Sequence, residues 1–126
     1  MDDVGERLQL AKNELAKAQV GAFEPVDWLE VALFAFYALE NAVCAAADLH
    51  GVSWKRDHPS KVAAAEALHK SHDLPDVQQL LIDLNELRKS ESYGEVRPPV
   101  DRTAEDLVAD VEAYLVAVET HMRDEP

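Results

Sequence analysis

Arg88, Lys89 and Tyr93 form the local pattern in this 126-residue sequence that most suggests chemistry. They lie in Asp83-Leu84-Asn85-Glu86-Leu87-Arg88-Lys89-Ser90-Glu91-Ser92-Tyr93-Gly94-Glu95, which continues into Val96-Arg97-Pro98-Pro99. Four of the twelve Lys and Arg residues fall between Arg88 and Arg102, in a chain whose net charge is −13. A guanidinium offers paired donors that match phosphate oxygens, so Arg88 facing a cleft would hold a phosphate by a bidentate contact. Lys89 and Arg97, together with Lys55, Arg56 and His58 from an earlier loop, would widen such a patch. The purely structural alternative is that Arg88 and Lys89 complement the negative end of a helix. Tyr93 would then pack beside Pro98.

Other constellations are weaker. Glu66-Ala67-Leu68-His69 has the Glu-x-x-His spacing of di-iron bundles, but that chemistry needs the motif on two helices and it occurs once. His69, His72 and Asp73 supply three zinc ligands where a structural site wants four, so no metal is expected. Cys44 lies in an apolar run with no base nearby in sequence, the setting of an inert thiol. Four scattered glycines make no phosphate-cradling loop.

The elements that must position these residues are helical. Hydrophobic residues make up 48% and charged residues 29%, a globular mix in which few glycines and many Ala, Leu and Val favour helix. The length suits one domain, residues 1–126, with a single core. A lone cysteine and an acidic, polar N-terminus imply a reducing, cytoplasmic setting without a secretory leader. The longest uninterrupted apolar run, Val31 to Leu39, is shorter than the ~20 residues of a membrane span, so no membrane partner is expected. The acidic balance argues against broad nucleic-acid binding and leaves room for a local basic patch.

Apolar spacing predicts five helices. The first covers residues 2–19, with Val4, Leu8, Ala11, Leu15 and Ala18 as its stripe and Gly21 as its stop. The second runs from about Val26 to His50, capped by Asp27 with Glu30 completing a capping box and ended by Gly51. It is apolar on nearly every face, which marks a central helix. Glu40, Asn41 and Asp48 interrupt it; Glu40 either pairs near the surface or faces a cleft. A third helix opens at Pro59 or Ser60. The fourth, striped by Val77, Leu80, Leu81, Leu84 and Leu87, should reach about Ser92 with Gly94 near its C-cap. Thr103 caps the fifth. The expected fold is all-α, an up-and-down bundle of four main helices plus one shorter helix.

Three features together resemble the HEPN superfamily of small helical prokaryotic proteins. They are the central helix Phe36-Tyr37-Ala38-Leu39-Glu40-Asn41-Ala42-Val43-Cys44-Ala45-Ala46 ending at Leu49-His50-Gly51, the loop Arg56-Asp57-His58-Pro59, and Leu84-Asn85-Glu86-Leu87-Arg88 closing with Tyr93-Gly94. The resemblance implies a homodimer and no cofactor. It also implies a site built on Arg, four to six residues, then His. Arg88 matches the arginine, whereas Tyr93, Gly94 and Glu95 occupy the histidine window. A tyrosine, with a reference pKa of ~10, is a poor base for the RNA 2′-hydroxyl.

The expected function is therefore a dimeric binding or regulatory module of a toxin–antitoxin or defence system with a degenerate nuclease motif. Its ligand would be RNA, a nucleotide or a co-encoded protein, held by Arg88, Lys89, Arg97, Lys55 and Arg56 with Glu40 and Asn41 behind them. The alternative is a metal-independent ribonuclease in which Arg88 holds the scissile phosphate and Tyr93 or His58 assists. A structural adaptor without a ligand stands third.

Overall fold

The computed structural model describes residues 3–90, 99 and 101–124. Five helices account for most of them: α1 (Asp3–Gly21), α2 (Trp28–His50), α3 (His58–His72), α4 (Gln78–Lys89) and α5 (Ala104–Asp124). No strand occurs among the described residues. The expected end of α4 near Ser92, the cap at Gly94, and Tyr93 and Arg97 all lie outside them.

Local chemistry sets most of the helix ends. Asp27 accepts from the Glu30 N–H at 3.1 Å and so caps α2. The reciprocal half of the expected capping box is replaced, because the Asp27 N–H donates to the Gly21 carbonyl at 2.8 Å. That bond ties the end of α1 to the start of α2. A Cβ on Gly21 would come within 3.0 Å of the Glu30 Cβ, so the turn needs a residue without a side chain. Gly51, at φ 70°, closes α2 in the left-handed conformation. Helix α3 begins one residue earlier than the proline suggests: Asp57 accepts from the Ser60 N–H at 2.8 Å, placing His58 at the first helical position. At its other end Asp73 takes the left-handed C-cap conformation, φ 59°. Thr103 Oγ1 accepts from the Asp106 N–H at 3.0 Å and the Asp106 carboxylate accepts from the Thr103 N–H at 3.4 Å, a capping box closed by Asp.

Helix α2 is the centre, packed against the other four. Ala35, Ala38, Ala42, Ala45, Ala46 and Ala47 are all fully buried along it. Small side chains let neighbouring helices close in, and Leu8, Leu68, Leu81, Tyr114 and Leu115 fill the space between them. By length and hydropathy α2 would also pass for a membrane span, but 61% of that window is buried inside the bundle, the profile of a core helix.

Side-chain pairs reveal the helix directions. Arg7 meets Asp48, so α1 and α2 are antiparallel. Lys12 pairs with Glu119 and Gln19 with Glu112, so α1 and α5 are antiparallel too. In contrast, Phe36 meets His58, Glu40 meets Lys61 and His50 meets His72, which makes α3 parallel to α2. Up-and-down alternation therefore breaks at the 51–57 connection, which runs back along α2. There Trp54 donates its indole N–H to Asp48 at 2.9 Å.

Tyr114 is fully buried, and its hydroxyl has no hydrogen-bond partner among the described residues. Burial pushes its phenol well above the usual range. Tyr114→Phe should hold or raise stability, by about 1 kcal/mol, because it removes an unsatisfied buried group. Leu39→Ala should lower it by about 3 kcal/mol through the cavity it leaves. Urea unfolding midpoints check both.

Candidate functional site

Phe36 organises the site. It sits in the first half of α2, only 2% exposed, and two side chains from other helices cover its ring. The Arg88 guanidinium carbon, from the last turn of α4, lies 4.7 Å from the ring centroid. The His58 ring, from the first turn of α3, lies at 5.9 Å and is tilted by 46°. Arg88 and His58 are thirty positions apart in sequence, and one aromatic side chain brings them together. A guanidinium over an aromatic face gains from the ring quadrupole, which favours Arg88 at the Phe36 ring.

The next layer sets the orientation and charge of these groups. Asn85, 3% exposed and one turn before Arg88, accepts from Arg88 Nη2 at 2.8 Å. Arg88 Nε and His58 Nδ1 are both buried, and neither has a hydrogen-bond partner among the described residues. Buried donors and acceptors are nearly always paired, so two such nitrogens on side chains around one ring point to a ligand or water. Glu40, one turn after Phe36, pairs with Lys61 of α3 at 3.1 Å, with only 20% and 13% of the two side chains exposed. Its carboxylate is thus both paired and turned toward a cleft. Burial pushes the His58 imidazole below the usual histidine range; the Glu40 charge opposes this, and the Lys89, Arg88 and Lys61 charges add to it. At neutral pH His58 is an uncharged imidazole beside a fixed guanidinium.

Beyond the Glu40–Lys61 pair a cleft of ≈330 Å³ continues along α2, with Asn41, Cys44, Trp54 and Arg56 among its lining residues. Asn41 donates to the Tyr37 carbonyl at 3.0 Å. Cys44 is buried, which pushes its thiol up to about 11, so it stays protonated and unreactive at neutral pH.

The sequence-derived candidates therefore divide. Arg88, His58, Lys89 and Glu40 share one neighbourhood, while Arg56 and Asn41 line the adjoining cleft. Lys55 is exposed; its backbone N–H donates to Ser60 Oγ at 2.6 Å and its side chain lines neither. Arg102 is drawn off to Asp110 of α5. A second cleft, ≈360 Å³ between α4 and α5, includes Asp83, Glu86 and Asp101, acids that disfavour an anion. Sequence reading missed Phe36, Asn85, Lys61, Arg7 and Trp54 as site residues. Helical offsets hold a signal for three of them: Phe36 precedes Glu40 by four, Lys61 follows His58 by three and Asn85 precedes Arg88 by three. Nothing in sequence ties Arg7 to this face.

The histidines weighed as metal ligands have other contacts. His69 Nδ1 lies 2.8 Å from the Leu74 carbonyl, within hydrogen-bonding distance. His72 stacks on His50 at 4.4 Å, and His50 Nε2 lies 3.0 Å from His121 Nδ1. No group of three or more His, Cys, Asp or Glu side chains among the described residues is set to hold a metal ion.

A depressed His58 pKa fixes a pH dependence. The folded state keeps the ring neutral where the unfolded chain, with a reference value of ~6.5, takes up a proton. Stability should therefore fall as pH drops below about 6.5 and level off only beneath the folded value. The loss should be smaller in His58→Gln than in wild type. Urea midpoints across that range, with an NMR titration of the His58 ring, measure it. No protein-family model, curated protein or solved structure matches this chain.

Proposed function

We propose that this protein is a HEPN-like RNA-binding module of the toxin–antitoxin or defence type that holds a phosphodiester at Arg88. The observation carrying this reading is the convergence of Arg88 and His58 on Phe36, each with a buried nitrogen that has no hydrogen-bond partner among the described residues. A phosphate placed there accepts from the guanidinium edge, and Lys89 adds charge at the rim. Homodimerisation is part of the proposal and rests on the sequence resemblance. The chain's own helices cover most of the apolar surface of α2, and Leu29 and Tyr37 remain exposed on it.

A second reading, metal-independent ribonuclease, gains from one specific observation: His58 occupies the neighbourhood of Arg88 although the linear motif has no histidine. A neutral imidazole there can accept the 2′-hydroxyl proton. The 2′-oxygen then attacks phosphorus and the bond to the 5′-oxygen breaks, leaving a 2′,3′-cyclic phosphate. The departing oxygen takes a proton from solvent. Arg88 would stabilise the charge gathering on the phosphoryl oxygens.

One experiment separates the readings. Wild type, Arg88→Ala and His58→Gln are each incubated with single-stranded RNA in EDTA, and both binding and cleavage are followed. The binding module predicts intact RNA and an affinity loss of at least about tenfold for Arg88→Ala, the value of one charged hydrogen-bonding group. Cleavage by wild type that both substitutions abolish would establish the nuclease instead. Wild type that neither binds nor cleaves RNA overturns both. Sedimentation at micromolar concentration should show a dimer.

A further inference from the structure

We propose that the cleft beside Trp54 is a second phosphate subsite on the same ligand, so that the protein takes an oligonucleotide strand and not a single nucleotide. This rests on the RNA-binding reading above and specifies its ligand.

The cleft, ≈330 Å³, is walled by Arg7 of α1, Arg56 and Trp54 of the 51–57 connection, Lys61 of α3, and Glu40 and Cys44 of α2. Its charge comes out positive. Glu40 is taken up by Lys61 at 3.1 Å. Asp48, just outside, is taken up by Trp54 at 2.9 Å and by Arg7 at 3.6 Å. Arg56 forms no ion pair among the described residues and is left as an uncompensated cation. Arg7 Nε is buried and, with its carboxylate neighbour at 3.6 Å, has no hydrogen-bond partner among the described residues. The Cys44 thiol on the floor brings no negative charge at neutral pH. Trp54 has the Arg7 guanidinium carbon at 5.0 Å from its centroid and Lys61 Nζ at 5.8 Å, which holds both cations against the cleft wall.

Geometry links this cleft to Arg88. Lys61 lies one turn beyond His58 on α3, and Glu40 one turn beyond Phe36 on α2, so the two clusters follow one another along the α2–α3 pair. From Phe36 to Cys44 is eight residues, about 12 Å along α2 at the helical rise. Cations spaced over that length suit a backbone carrying several phosphates. Such a ligand also explains why a strongly acidic protein keeps Arg7, Arg56, Lys61, Arg88 and Lys89 on one neighbourhood of its surface.

Arg56→Ala is the clean test, because the side chain is exposed and bonds to nothing that the fold needs. Affinity for a single-stranded RNA dinucleotide and for a hexanucleotide is measured across a salt series, in wild type, Arg56→Ala and Arg88→Ala. The subsite predicts that wild type binds the hexanucleotide more tightly than the dinucleotide. Arg56→Ala should lose most of that advantage while keeping dinucleotide affinity. Its salt slope for the hexanucleotide should shrink by about 0.7, the share of one phosphate on a single strand. Arg88→Ala should weaken both ligands. If Arg56→Ala binds the hexanucleotide with unchanged affinity and slope while Arg88→Ala fails, the second subsite is wrong and the Arg88 site stands. If Arg56→Ala weakens both ligands equally, the two clusters are one site and the inference falls. If wild type binds neither ligand, the RNA-binding reading falls and this inference with it.

Discussion

Close packing against the alanine-rich surface of α2 is the constraint on which the rest of the molecule depends. Seven fully buried alanines let α1, α3, α4 and α5 approach one helix at once. Side-chain bulk comes from the partners, notably Leu68, Leu81 and Tyr114. The arrangement makes α2 a ruler. Phe36, Glu40 and Asp48 stand at intervals along it and meet, in turn, Arg88 and His58, Lys61, and Arg7 and Trp54. Interiors at this density tolerate little slack, so contacts made along α2 hold their spacing.

On that ruler the electrostatics are uneven. The net charge of −13 would repel a polyanion at long range. Along the α2–α3 pair, however, the acids are spent on local partners: Glu40 on Lys61, Asp48 on Trp54 and Arg7. Cations outnumber acids there, and some of their nitrogens are buried without partners among the described residues. The same burial that leaves them unsatisfied also keeps His58 neutral. Desolvation thus links the packing of α2 to the chemistry beside it: an aromatic floor holds Arg88, and partial burial lowers the pKa of the imidazole.

Much of the fold was legible because its signals are local. Asp27, Gly51 and Thr103 act within a few residues of their own position, and each caps where the sequence places it. The α3 start was misplaced by a residue or two because Asp57 outcompetes Pro59 as the boundary signal. Alternation of helix direction was misread between α2 and α3 because seven connecting residues are compatible with a tight turn or with an extended return. The pairing of Trp54 with Asp48 and the contacts Phe36–His58, Glu40–Lys61 and His50–His72 show the return.

The sequence by itself determined five helices, an all-α core, the central place of the second helix, and Arg88 as the residue with the clearest chemical promise. Periodicity and capping carry that information within short windows, so no distant contact is needed to read it. Tertiary structure decided which residues stand beside Arg88. A neutral His58, the aromatic floor of Phe36, the support of Asn85 and the cation row of Lys61, Arg56 and Arg7 come from four helices and a loop. Their meeting depends on α3 running parallel to α2, a direction set by how the whole chain packs and by no stretch of sequence within it.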